Sequence, residues 1–181
     1  MPTVTMNLPA ATFVSSAKLN SNFLVYPLVC VGTDANLKKC TTLINVVLPT
    51  LPKKVDSATL QLSPIMKSGT APSTIAISQL GTDFDADTVT YNTMPALIST
   101  EAEFTVSKEE LYLPVQADIT DIVNEWLSGA AVNHGIALTG SDGTIVQFAT
   151  NNIGHEPYFP MLSVTYSSTP ATPADRTYGY I

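Results

Sequence analysis

Residues 118–129 read DITDIVNEWLSG and predict one short amphipathic helix. Its apolar residues recur at i, i+3, i+4, i+7 and i+8, the spacing of a single helical face: Ile119, Ile122, Val123, Trp126 and Leu127. Asp118 is suited to accept bonds from the first helical N–H groups, and Gly129 is suited to a left-handed cap after the last turn. We therefore expect a helix over 119–128, with its apolar face buried against the rest of the chain.

The sequence around this helix has the period of two that is typical of half-buried strands. Three segments show it most clearly, with apolar residues at every second position: 4–8, 58–62 and 162–166. Clusters of turn-forming residues separate such segments, and the cluster at 140–143 predicts a hairpin that joins 135–139 to 144–149. Many short strands and one helix predict an all-β fold, a two-sheet β-sandwich of jelly-roll type with Trp126 between the sheets.

The same region resembles the C-terminal half of DNRLRE-type (disaggregatase-related) domains. The matching residues run through the helix and the strands after it: Asp118, Thr120, Val123, Trp126, Gly129, Asn133, Gly135, Ile136, Leu138, Phe148, Thr150, Pro160, Leu162, Val164 and Tyr166. Two upstream segments fit the pattern less closely: 57–62 as a strand, and 88–95 with Tyr91 where the family usually has tryptophan. The resemblance implies an extracellular β-sandwich of a bacterial or archaeal surface or secreted protein. Some relatives bind polysaccharide, and the resemblance implies no catalytic residue.

The charge and hydrophobicity of the chain disfavour two classes of binding partner, nucleic acids and membranes. The chain has 181 residues, with 8 basic and 15 acidic side chains and a net charge of −7. This sign disfavours nucleic acid, whose phosphates require cationic partners, and no apolar run approaches the length that spans a bilayer. We therefore expect neither nucleic-acid binding nor membrane insertion.

The composition changes after Tyr166. Residues 168–175 are small and interrupted by proline, which is typical of an extended linker, and 176–181 resemble the start of a strand. These last six residues also resemble the start of the globular domain of collagen-like spore-surface proteins. We expect a β-sandwich domain over 1–167, and over 168–181 a linker with the beginning of a following domain of the same polypeptide.

Cys30 and Cys40 flank a predicted turn between two strands. Either a bridge across the hairpin or two free thiols is compatible with the sequence, because the strand register decides whether the side chains face each other. Two cysteines with two distant histidines do not form a zinc-ligand pattern.

Asp83, Asp85 and Asp87 alternate through a loop, as the first ligands of a calcium site do. The glycine and the final glutamate of an EF-hand loop are missing, so exposed carboxylates are the other interpretation. We expect no cofactor other than this calcium ion.

Sugar rings bind to exposed aromatic side chains, since these offer flat apolar area beside polar groups. Tyr112 and Tyr158 are the two aromatic residues that the sequence places on exposed loops, and they are the candidate ligand-binding residues. His134 and His155 are the imidazoles available as catalytic bases, and no nucleophile motif accompanies either one. We therefore expect no enzyme.

The main functional hypothesis is a non-catalytic structural or adhesive module of a bacterial extracellular, cell-surface or spore-surface protein. Its expected partners are neighbouring domains, a polysaccharide or a surface protein. The alternative hypothesis is a carbohydrate-binding module of a polysaccharide-acting protein.

Overall fold

A computed structural model describes residues 1–167. The linker and following domain expected over 168–181 lie outside the described residues. The described chain forms one α-helix, α1 (Thr120–Ser128), and twelve strands. The strands are β1 (Thr3–Asn7), β2 (Ala10–Ser15), β3 (Leu28–Asp34), β4 (Lys38–Asn45), β5 (Ser57–Leu62), β6 (Pro64–Lys67), β7 (Ser73–Leu80), β8 (Leu97–Val106), β9 (Val115–Asp118), β10 (Ile136–Gly140), β11 (Ile145–Ala149) and β12 (Met161–Thr165).

These strands build two antiparallel sheets, which confirms the predicted β-sandwich. The smaller sheet has the order β1-β12-β5-β9, and the larger has the order β6-β11-β3-β4-β10-β7-β8 with β2 also paired to β4. In the smaller sheet β5 shows the alternation expected from its sequence, with Ala58, Leu60 and Leu62 buried between more exposed neighbours. The period-two pattern thus marks the face that each strand turns to the core.

The larger sheet bends at β4. Cys40 pairs with Gly32 of β3 on one edge and with Ser15 of β2 on the other. The next residue, Thr41, pairs with Thr139 of β10 on the edge opposite β2. β3 and β10 therefore pair with different parts of the same edge of β4. The strands beyond β3, which are β11 and β6, form one half of the sheet, and those beyond β10, which are β7 and β8, form the other.

Two phenylalanine rings show that these halves face each other. Phe104 of β8 and Phe148 of β11 lie with ring centroids 6.0 Å apart, although their strands are far apart in the sheet order. Both side chains belong to the main hydrophobic core, and Phe148 is fully buried. Side chains from the two halves of the larger sheet therefore meet in the core.

The helix joins the two sheets, as expected. The hydroxyl of Thr120 accepts a hydrogen bond from the amide of Ala58 in β5 at 2.9 Å. One face of α1 is buried, and Trp126 is 9% exposed within the main core. Gly129 ends the helix in the left-handed conformation, φ 81°, as its position predicted.

The expected role of Asp118 needs a correction of one residue. Ile119 occupies the N-cap position, so Asp118 lies one residue before it. The carboxylate of Asp118 still accepts bonds from the hydroxyl of Thr120 at 2.5 Å and from its amide at 2.9 Å. These bonds lower the pKa of Asp118, because the hydroxyl and then the amide favour the charged form.

The predicted hairpin of 135–139 with 144–149 is wrong. β10 pairs with β4 and β7, whereas β11 pairs with β3 and β6. The turn at 140–143 therefore connects two strands that pair with different neighbours and not with each other. Turn-forming residues indicate where the chain changes direction. Which strands then pair with each other depends on contacts between distant segments.

No helix in residues 1–167 is long and apolar enough to span a membrane.

Candidate functional site

The structure brings Tyr112 and Tyr158 together. Their ring centroids are 6.4 Å apart and the ring planes are tilted by 55°, although 45 residues separate them in sequence. Tyr112 is 57% exposed and Tyr158 is partly exposed. The two candidate binding residues therefore form one surface feature.

His155 extends this feature. Its ring centroid lies 4.8 Å from that of Tyr158, at a tilt of 57°. A 3-10 turn, Glu156–Tyr158, follows His155 directly, and residues three apart eclipse each other in such a turn. We call His155, Tyr158 and Tyr112 the aromatic row. The spacing of three between His155 and Tyr158 was the sequence signal for this contact, although the sequence suggested His155 only as an available catalytic base.

The backbone holds Tyr112 in a strained conformation. Its φ is 65°, in the left-handed region that non-glycine residues avoid at a cost of about 1–2 kcal/mol. The amide of Tyr112 donates to the carbonyl of Pro64 at 2.8 Å, which fixes the loop to the start of β6. Strain that keeps a large ring exposed needs a compensating advantage, and such outliers are common at binding sites.

The segment before Tyr112 is also fixed. A 3-10 turn spans Lys108–Glu110, and the Glu110 carboxylate accepts from the amide of Ser107 at 2.6 Å and from its hydroxyl at 3.1 Å. The pKa of the neighbouring Glu109 is lowered, first by a bond from its own backbone amide and then by the Ser107 hydroxyl. Tyr112 is therefore carried by a preorganised loop, which reduces the entropy lost on binding.

The loop that carries His155 and Tyr158 is anchored at both ends to Leu8. The Asn151 side chain donates to the carbonyl of Leu8 at 2.8 Å, and the amide of Leu8 donates to the carbonyl of Pro160 at 3.1 Å. Both sides of the aromatic row thus stand on well-connected loops.

An uncharged groove of about 340 Å³ lies against the same 150–160 loop. Its walls come from the β1–β2 connection, the loop before β3 and the residues after β11: Leu8, Pro9, Ala10, Ala11, Leu24, Val25, Thr150, Asn151, Asn152 and Pro160. Val25 at its edge is 81% exposed. The groove combines apolar surface with amide and hydroxyl groups. A sugar chain also has apolar C–H faces and polar hydroxyls, so the two surfaces are complementary.

Two of the three carboxylates of the predicted calcium site already accept or share a hydrogen bond within the protein. Asp83 lies 2.6 Å from Nδ1 of His134, and this pair is largely exposed on the Asp83 side. The Asp85 carboxylate accepts from the amide of Asp87 at 2.9 Å. Within residues 1–167 no three His, Cys, Asp or Glu side chains are arranged to hold a metal ion. Calcium binding by Asp83, Asp85 and Asp87 stays a prediction.

The two histidines considered as bases have different surroundings. His134 pairs with Asp83 across 51 residues of sequence, a contact that the sequence did not reveal. His155 packs on Tyr158. The thiols of Cys30 and Cys40 are free and buried, so of the two alternatives the structure has unbridged cysteines.

The model of one protein family, carbohydrate-binding module family 96, matches residues 2–166. The chain belongs to this family. No curated protein matches the chain. A carbohydrate-binding module is a non-catalytic domain, and the match favours our alternative hypothesis over the structural or adhesive one. The family-96 match covers both sheets, the helix and the aromatic row.

Proposed function

We propose that this module binds polysaccharide through the aromatic row of His155, Tyr158 and Tyr112. The observation that carries the proposal is the exposed Tyr112 ring, held at a φ of 65° and 6.4 Å from Tyr158. The family supplies the ligand class, and the row is the surface of the module best suited to it.

The chemistry of the row fits sugar rings. One face of a pyranose carries C–H groups, which pack on the negative face of an aromatic ring, while its hydroxyls point sideways towards polar groups. The phenol hydroxyls of Tyr112 and Tyr158 and the imidazole of His155 supply such groups. Because the tyrosine planes are tilted by 55°, the row fits a twisted chain better than a flat crystalline surface.

A groove lies against the same 150–160 loop that carries two residues of the row. Asn152 lies at its wall, and its side-chain amide already donates to the carbonyl of Leu24 at 2.9 Å. We propose that this groove is a second contact for the same polysaccharide chain, with Val25 as its apolar surface.

Affinity electrophoresis tests the proposal. The module is run through gels that contain neutral polysaccharides (galactomannan, xyloglucan) or acidic ones (alginate, polygalacturonate), and titration calorimetry follows with any that retards it. We expect Tyr112→Ala and Tyr158→Ala each to weaken binding roughly 10-fold or more, since one stacked ring contributes about 1–3 kcal/mol in comparable platforms.

Two controls separate stacking from folding. Tyr112→Phe keeps the ring and should keep most of the affinity. Ile98→Ala removes an exposed apolar side chain on β8, 53% exposed, and should leave binding unchanged. Full affinity in the two tyrosine-to-alanine variants, in a protein that still binds a glycan, would move the site elsewhere on the module.

We also propose an extracellular location, because this is the usual setting of carbohydrate-binding modules. The finer expectations stay predictions: a DNRLRE-type relationship, a cell-surface or spore-surface protein and neighbouring domains of the same polypeptide. Isolation of the full-length product with its adjoining domains tests them.

A further inference from the structure

Two buried thiols lie on one face of the β3–β4 hairpin. Cys30 in β3 and Cys40 in β4 are each 1% exposed. Cys40 pairs with Gly32, and residues two apart in a strand project to the same side. Cys30 is therefore a diagonal neighbour of Cys40 on a shared face of the hairpin.

Gly32, which pairs with Cys40, places no side chain next to the two thiols. The thiols lie close enough to shift each other's pKa in opposite directions. The hydroxyl of Thr42 donates to the carbonyl of Cys30 at 2.9 Å, which fixes the two strands in this register. Diagonal neighbours in a sheet lie about 7–8 Å apart and a disulfide needs Cα atoms within about 7 Å, so a small approach of the two strands brings the sulfurs within bonding distance.

The contact also makes the two sulfurs unequal. The hydrogen bond with Cys30 lowers the pKa of Cys40, whereas the same bond and burial raise the pKa of Cys30. Because both thiols are 1% exposed, an oxidant reaches them only while the hairpin is open, as it is during refolding.

We propose that Cys30 and Cys40 form an intramolecular disulfide when the module meets a low-molecular-weight disulfide such as oxidised glutathione. The Cys40 thiolate attacks one sulfur of glutathione disulfide, forms a mixed disulfide and releases one glutathione. The Cys30 thiolate then attacks Sγ of Cys40 and releases the second glutathione. The two electrons and the two protons of the cysteine thiols end on the two glutathione molecules.

The bond would fasten the hairpin on which the larger sheet bends. It closes the short loop from Cys30 to Cys40 and so restricts the unfolded chain. Oxidising compartments outside the cytosol favour such bonds. This inference is independent of the glycan surface, because neither cysteine contributes to the aromatic row.

Refolding of the reduced module with and without oxidised glutathione tests the proposal. The oxidised protein should lose the mass of two hydrogen atoms, show no thiol that reacts under denaturing conditions and yield a Cys30–Cys40 linked peptide. Its Tm should rise by roughly 5–10 °C over that of the reduced protein, for a short closed loop in a domain of this size.

Two cysteine variants distinguish formation of the disulfide from other effects of the oxidant. Cys30→Ala removes the resolving sulfur and should leave glutathione attached to Cys40, whereas the double variant Cys30→Ala/Cys40→Ala should have a Tm that does not respond to the oxidant. Two reactive thiols in the wild-type protein after refolding with glutathione disulfide would overturn the proposal, and so would a persistent glutathione adduct in the wild type.

Discussion

The indole N–H of Trp126 donates a hydrogen bond to the side-chain carbonyl of Gln79 at 2.7 Å. Gln79 lies in β7 of the larger sheet and is itself buried, 6% exposed. Its amide donates in turn to the carboxylate of Glu125 at 2.5 Å, one residue before Trp126. The helix is therefore attached to the larger sheet by a polar contact as well as by its apolar face.

Gln79→Leu keeps the side-chain volume but leaves the buried indole N–H without an acceptor. We expect a loss of about 1–3 kcal/mol in the free energy of unfolding, from urea denaturation. Trp126→Ala should lose more, about 3–5 kcal/mol, because it also empties the core. Asp121→Ala is the control, since Asp121 is an exposed residue of the same helix, lies outside this contact and should have little effect when removed. A Gln79→Leu protein as stable as the wild type would show that this contact contributes nothing.

Tyr112→Gly should be more stable than Tyr112→Ala, the reverse of the usual order for these residues. Glycine relieves the strain of a φ of 65°, about 1–2 kcal/mol, whereas alanine retains it. The greater freedom of glycine in the unfolded chain offsets about 0.4–1 kcal/mol of this gain. Thermal unfolding of the two variants measures the difference, and higher stability of the alanine variant would contradict a strained site.

The Asp118 carboxylate should make the module less stable in acid. Its pKa is lowered in the folded state by the hydroxyl and amide of Thr120, so its contribution is complete above the unfolded pKa, roughly 3.9. The contribution is lost as the pH falls through the lowered folded value. It is small, because solvent screens this exposed group.

Tm measured from pH 7 down to pH 3 tests this dependence. The difference between wild type and Asp118→Asn should shrink as the pH falls, while Thr120→Ser, which keeps both donors, should follow the wild type. A gap that stays constant across this range would exclude a contribution from Asp118 ionisation.

Gly32→Ala should be far more damaging than Gly143→Ala. Both glycines have positive φ, 115° and 79°, but a Cβ at Gly32 would lie 2.0 Å from the carbonyl oxygen of Thr144, and one at Gly143 meets nothing within 4 Å. Gly143→Ala should lose about 1–2 kcal/mol through its backbone conformation alone. Gly32→Ala must also separate two backbones, and we expect at least about 2 kcal/mol more. Equal losses in denaturant melts would show that the close approach is unimportant.

The sequence predicted the features that depend on local order. The spacing of the apolar residues located α1 to within one residue, and Gly129 marked its end. The strand alternation in 58–62 predicted which side chains are buried. Each of these signals depends on residues within a single helix or strand, so it can be recognised from that segment alone.

The sequence did not predict which distant segments of the chain contact each other. The turn at 140–143 suggested a hairpin, yet the two strands that it connects pair with other strands and not with each other. Tyr112 and Tyr158 were each predicted to be exposed, but their contact depends on two loops that meet only in the folded chain. The contact between Asp83 and His134 also joins two segments that are distant in sequence, and it was not predicted for the same reason.

The place of β12 governs how the module assembles. This strand comes last along the described chain, yet it pairs with β1 on one side and with β5 on the other. The first strand therefore has no neighbour in its sheet until residues 161–165 have left the ribosome. A chain still being synthesised cannot close the smaller sheet, and since such long-range pairing is slow, completion should come as one late, cooperative event.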